Sequence, residues 1–221
     1  MQLSRQCAAE AIGTFILVFT GTGAVVFGEI SSGQVTPLGI GLVFGLVVMA
    51  LIYTLGDISG AHINPAVTLG FWASGQFKGK QVAPYILSQC SGALLASLLL
   101  RALFGNHADM GATIPKEGLL YQCFILEIIL TFILMFVILN VATDSKEKGI
   151  VVGIVVGGVI ALEAIFAGPI SGASMNPARS LGPAVASMNF TGFWIYLLAP
   201  PLGALLAVPV WRWIRLPKRD L

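Results

Sequence analysis

The sequence predicts an all-α membrane protein: six transmembrane helices plus two re-entrant half-helices, built as an inverted internal repeat. Three observations carry this. The chain of 221 residues is 57% apolar and 10% charged, whereas soluble domains carry about 25% charged residues. Six apolar stretches, at about 7–28, 37–57, 82–104, 120–142, 149–168 and 192–214, are each long enough to cross about 30 Å of hydrocarbon. A twelve-residue segment also occurs twice, once after the second stretch and once after the fifth.

The first stretch follows Met-Gln-Leu-Ser-Arg-Gln and is too long for a signal-peptide core. It also lacks a clean cleavage motif and reads as a retained span. Several spans are rich in small residues, as in Gly39-Ile-Gly-Leu-Val-Phe-Gly45 and Gly153-Ile-Val-Val-Gly157-Gly158. Glycine weakens a helix in water, but in lipid it lets helices approach closely. Arg5, Lys78, Lys80, Lys146, Lys148, Arg212, Arg215, Lys218 and Arg219 fall at the ends or loops of one side, and Arg101 and Lys116 toward the other. The basic side is the expected cytoplasmic side, so a multi-pass protein of the cell (inner) membrane with both termini cytoplasmic is expected.

Composition also excludes classes. The net charge of +2 includes no basic run that would point to nucleic acid. Cys7, Cys90 and Cys123 lie in or beside apolar runs. Their odd number and the lack of Cys-x-x-Cys spacing argue against a disulfide framework or a metal site. They read as small buried hydrophobes.

Ser59-Gly-Ala-His-Ile-Asn-Pro-Ala-Val-Thr-Leu-Gly70 and Ser171-Gly-Ala-Ser-Met-Asn-Pro-Ala-Arg-Ser-Leu-Gly182 match at eight of twelve positions. A second echo pairs Glu10–Phe19 with Glu127–Phe136 at seven of ten. The chain is an internal duplication: one domain, 1–221, with halves of about 1–104 and 120–221. Each half holds three spans, an odd number, so the second half runs inverted. Inverted repeats place a functional site near the midplane, where broken helices meet.

Asparagine is a favoured N-cap, and proline fits the first helical turn, where no donor is needed. Asn64-Pro65-Ala66 and Asn176-Pro177-Ala178 therefore read as helix starts, with helices running to about Trp72 and about Ala186. Roughly ten residues at 1.5 Å span about 15 Å, half a bilayer. Two half-helices entering from opposite faces meet N-terminus to N-terminus, each carrying about half a positive charge. That field opposes cations and protons, while the Asn64 and Asn176 amides offer donors to a passing oxygen. The segments Ser59–Ile63 and Ser171–Met175 are expected to be extended and to turn carbonyls to a pore, since non-helical backbone at this depth must line a cavity or be packed in protein.

The paired motifs, the six spans, and the glutamates in spans one and four resemble the major intrinsic protein (aquaporin) superfamily over essentially the whole chain. The resemblance implies the aquaporin fold, an hourglass pore in each subunit, and a homotetramer of independently conducting pores. It implies no cofactor, and the partners expected are water, small neutral solutes and membrane lipid, with no nucleic acid. It also implies a four-residue selectivity filter, which spacing from the two motifs places at Phe44, Ala164, Ala173 and Arg179. An arginine inside a membrane is costly and is read as functional; Phe44, Ala164 and Ala173 can each be read instead as plain helix packing. Water-selective relatives place His where this chain has Ala164, so a wider, less polar ring is expected. Ser180 stands where glycerol facilitators carry Asp. With Ala184 and the Tyr196-Leu197 pair it looks most like plant nodulin-26-like channels and their bacterial relatives, and the short termini fit a bacterial member. That branch implies passage of glycerol and of undissociated metalloid acids such as arsenous or boric acid. A strictly water-selective channel is the alternative.

Glu10 and Glu127 occupy equivalent places in the repeat, and a buried carboxylate needs partners. The resemblance implies that they hold the re-entrant loops as a scaffold. Glu163, beside Ala164, is expected to turn from the pore and brace the second loop, with a pore-lining or proton-sensitive role as the alternative. His62 is expected to shape the cytoplasmic mouth rather than to bind metal, and Asp57 to anchor a loop. A secondary carrier would need a coupling-ion site and room to rock. An enzyme would need a nucleophile with its base, or clustered ligands; the chain has two histidines, and His107 falls in an external loop.

Overall fold

The fold follows from a computed structural model that describes residues 2–142 and 146–215, the side chains of 146–150 excepted. The basic side chains of Lys146, Lys148, Lys218 and Arg219, used above to orient the bundle, lie outside the described residues. Eight α-helices are described: α1 (Leu3–Ile30), α2 (Pro37–Ser59), α3 (Pro65–Ser74), α4 (Gly79–Phe104), α5 (Leu120–Val141), α6 (Lys146–Ser171), α7 (Pro177–Ser187) and α8 (Phe193–Ile214). Six of them are long and apolar enough to cross a membrane. The other two, α3 and α7, have 10 and 11 residues. The spans reach a few residues beyond their expected bounds at several ends; α2 and α6 run on to Ser59 and Ser171, which are buried inside the bundle.

The helices pair as the repeat requires. α1 lies along α4 and α5 along α8, while α2 and α6 cross between the halves. Small residues set the closest approaches. A methyl group on Gly45 would stand 2.4 Å from the carbonyl oxygen of Gly157, and one on Gly157 2.5 Å from that of Gly45. Only hydrogen fits there, so the two backbones touch, as membrane helices do at small residues. The Gly157 of the glycine-rich run makes this contact; a methyl on its neighbour Gly158 would meet open space.

The outward faces carry exposed Leu42, Leu46, Leu87, Leu95, Ile125 and Ile129. The interior holds a set of buried polar side chains that includes Glu10, Thr14, Gln89, Glu127, Glu163 and Arg179. This inside-out polarity suits a lipid solvent around a polar path. Among the described basic residues, Arg5 and Lys78 begin helices at the end of the bundle that also carries Arg212 and Arg215, and Arg101 lies at the opposite end.

Candidate functional site

The site is built where α3 and α7 begin. The Asn64 side chain accepts from the Ala66 N–H at 2.8 Å. The Asn176 side chain accepts from Ala178 at 3.0 Å and Arg179 at 3.2 Å. Each proline sits at the first helical position. The carboxamides then cross over. Asn64 Nδ2 donates to the Met175 carbonyl at 2.8 Å, and Asn176 Nδ2 donates to the Ile63 carbonyl at 2.9 Å. Each amide commits one proton to the opposite half and keeps one for the lumen.

The segments leading into the half-helices are not extended throughout, as the sequence reading had them. Ser59 and Ser171 end α2 and α6. Gly60, Ala61 and Ile63 then have positive φ, and so do Gly172, Ala173 and Met175. A β-branched residue at φ 43, as at Ile63, is strained and persists only when its surroundings over-determine it.

Two buried carboxylates supply that constraint. Glu10 accepts from the Ser59 hydroxyl (2.6 Å), the His62 N–H (2.9 Å), the Ile63 N–H (2.6 Å) and Gln89 Nε2 (2.7 Å). Glu127 accepts from the Ser171 hydroxyl (2.7 Å) and from the Ser174 and Met175 N–H groups (2.9 Å each). Tyr85 and Tyr196 donate to the carbonyls of Ser59 and Ser171, at 2.9 and 2.6 Å. Gln89 and the two tyrosines escaped the sequence reading of these loops. They lie in apolar runs with no local motif; the sole signal was Tyr85 and Tyr196 recurring 111 residues apart, one short of the 112 between Ser59 and Ser171.

Two cavities meet at the asparagines. The larger, about 740 Å³, opens on the side of the chain termini and is lined by His62, Ile63 and Tyr53 among others. The smaller, about 40 Å³, is lined by Phe44, Ala164, Ala173 and Arg179 among others. Asn64 and Asn176 line both. All four residues inferred for the filter thus border one narrow passage. Arg179 is buried; one guanidinium nitrogen donates to the Gly111 carbonyl at 2.8 Å, and its Cζ lies 4.9 Å from the centre of the Phe44 ring. Gly111 ends a turn in which Ala108, Asp109, Met110 and Gly111 all have positive φ. The sequence reading missed this carbonyl, since a backbone group aimed by a left-handed turn leaves no side-chain signature.

His62 is buried against Phe71, Phe77 and Tyr85, with Nδ1 3.2 Å from the Thr68 hydroxyl. No cluster of metal-ligating side chains occurs among the described residues. Two expectations change. Asp57 is exposed on the rim of the large cavity and makes no loop-anchoring hydrogen bond among the described residues. Glu163 is buried, but neither of its oxygens has a hydrogen-bond partner; the loop contacts expected of it go to Glu127 instead. Cys7 and Cys90 are half-buried and Cys123 is buried; none borders either cavity.

Residues 1–211 match the major intrinsic protein family. Aquaporin NIP1-1 of Zea mays is 47% identical over 218 residues, 98% of this chain and 77% of that protein. Nodulin-26 of Glycine max is 45% identical, again over 98% of this chain, and over 80% of its own length. The X-ray structure of the aquaglyceroporin from Plasmodium falciparum superposes with a TM-score of 0.88 at 27% identity, covering 96% of this chain and 97% of that one. The chain belongs to the major intrinsic protein family and is a multi-pass membrane channel for water and small solutes, not an enzyme.

Proposed function

We propose that the channel passes uncharged solutes up to glycerol size, undissociated metalloid acids such as arsenous acid included, together with water, and excludes protons and ions. The observation that carries this is the composition of the narrow cavity: Ala164 and Ala173 share it with Phe44 and Arg179. Two methyl groups leave room and add no donor. The Phe44 ring offers an apolar wall, and Arg179 offers N–H groups to solute hydroxyls. Permanent positive charge at Arg179, and the helix N-termini at Asn64 and Asn176, oppose cations.

In this reading Glu10 and Glu127 are scaffold residues that hold the loops, and His62 shapes the wider mouth, which faces the cytoplasm with both termini. The whole chain acts as one domain in the cell membrane, as a homotetramer with a pore in each subunit. The likeness to Nodulin-26 and to a solved aquaglyceroporin supports the broader solute range. Stopped-flow light scattering on proteoliposomes, with water, glycerol and arsenite gradients on one preparation, tests it. All three fluxes are expected above the lipid background, without saturation at low millimolar solute and without an ion gradient. Water flux alone would make the chain a strict water channel; saturation or ion coupling would make it a carrier.

A further inference from the structure

In each half, the residue two before the pore asparagine meets the residue four after it. His62 Nδ1 lies 3.2 Å from the Thr68 hydroxyl, and the Ser174 hydroxyl lies 2.5 Å from that of Ser180. The first half adds a third group from α4, where Gln89 donates to Thr68 at 3.0 Å. The matching place in α8, 111 residues on, holds Pro200, which has no polar side chain. The second half takes its third group from the connector between the halves instead: Thr113 donates to Ser180 at 2.7 Å. That connector is pinned on both sides of Thr113. The Gly111 carbonyl accepts from Arg179, and the Lys116 N–H donates to the Ile170 carbonyl at 2.9 Å. Thr113 itself packs on Gly172, where an added methyl would stand 3.0 Å from its Cβ and Cγ2.

The protons give this series of hydroxyls a direction. Each hydroxyl has one to donate. Thr113 gives its proton to Ser180, and Ser174 gives its own to the Asn176 carbonyl at 3.0 Å. The 2.5 Å contact between Ser180 and Ser174 therefore uses the proton of Ser180. Ser174 also accepts from the Asn176 N–H at 3.3 Å, so its hydroxyl is fully engaged. Ser174 borders the small cavity together with Ala164, Ala173 and Arg179. Its backbone is fixed by Glu127, and only its side chain is left to turn. We infer that Thr113 is a specificity-determining positioning residue: by holding Ser180 it keeps the Ser174 hydroxyl drawn back from the passage, and so sets the free width of the filter. Without the Thr113 donor the Ser180 hydroxyl can rotate, and Ser174 loses its fixed donor. Serine has other staggered rotamers to adopt. A hydroxyl swung into a cavity of about 40 Å³ takes the place of about one water of three, which hinders a glycerol-sized solute more than water.

The inference rests on the solute reading above, and the test separates the two. Parent, Thr113→Ser, Thr113→Val, Ser174→Ala and the double variant Thr113→Val with Ser174→Ala are reconstituted at equal abundance. Glycerol and water fluxes are measured by stopped-flow light scattering. Valine keeps the shape of threonine and loses the donor. The ratio of glycerol to water flux is expected to fall about two- to twelvefold in Thr113→Val, the effect of one lost hydrogen bond. Thr113→Ser, which keeps the donor, is expected to restore it. In the Ser174→Ala background valine should cause no further fall, because the group that swings into the passage is gone. A merely structural Thr113 would act equally in both backgrounds. An unchanged ratio in Thr113→Val, the same loss in Thr113→Ser, or an equal fall with and without the Ser174 hydroxyl would each overturn the inference. A parent that passes water alone would overturn the solute reading instead; the comparison is then read on water flux, with the same pattern required. If Thr113→Val yields no folded channel, Ser180→Ala cuts the series at its next link and must give the same fall.

Discussion

Narrowing the small cavity should convert the channel toward water alone. Ala164→His with Ala173→Thr adds an imidazole and a hydroxyl to the space that Phe44 and Arg179 already border. The cavity measures about 40 Å³, and one water needs about 10–15 Å³ by the same measure. The passage thus holds about three waters in file. An imidazole takes up more than one of those places, and its N–H can replace a water's hydrogen bond. A water molecule still fits, while a three-carbon polyol must push side chains aside. Overpacking of that kind costs about 1–3 kcal/mol, which lowers a rate by about five- to 150-fold. Glycerol or arsenous acid flux is therefore expected to fall by at least fivefold in stopped-flow measurements while water flux stays within about twofold. Equal protein abundance and tetrameric state must be verified in the same vesicles. Glycerol flux equal to that of the parent would show that these positions are not the constriction, and the solute proposal would fail with them.

Arg179→Val removes the guanidinium beside Phe44, and a pH-sensitive dye inside liposomes should then report faster proton or cation entry; unchanged exclusion would leave the half-helix field as the whole barrier. Mercurials should inhibit weakly, because Cys7, Cys90 and Cys123 border neither cavity; strong block abolished by replacing one of them would redraw the pore. Tyr196→Phe removes the bond to the Ser171 carbonyl, and Tyr85→Phe its twin at Ser59. Each should cost about 1 kcal/mol and lower the unfolding temperature by about 2–4 °C, and a shift in one alone would show that the two supports are not equivalent. Gly157→Leu forces a side chain into the Gly45 backbone and should abolish folded channel on size exclusion; a normal tetramer would mean that α2 and α6 pack farther apart than described.

The spans were legible because lipid imposes length and apolarity together, and no other solvent does. The half-helices were legible because Asn-Pro is both a cap and a first turn, and because the motif recurs. Glu10 and Glu127 stood out as acids inside apolar runs. The rest was hidden for particular reasons. Gln89 and Tyr85 make their contacts across helices, at separations of 79 and 26 residues, so nothing beside them in the chain announces a partner. The Gly111 carbonyl that holds Arg179 is a backbone atom. Glu163 was visible as an acid, but that its oxygens are buried without a hydrogen-bond partner depends on how α6 packs, which spacing alone does not fix.

The crossed asparagine bonds also have a consequence in time. Asn64 and Met175 are 111 residues apart, so the acceptor for the first amide does not exist when the first three helices leave the ribosome. At about 5–20 residues per second the wait is about 6–22 s, far longer than a helix needs to form, since helix–coil relaxation takes about a microsecond. During that interval Ile63 has no Asn176 to hold its carbonyl. The first loop must therefore stay in contact with water, with lipid headgroups or with the insertion machinery, and settle between the helices only when its counterpart arrives. Half a channel is thus a waiting state, and the pore closes its seam once, late, from both sides together.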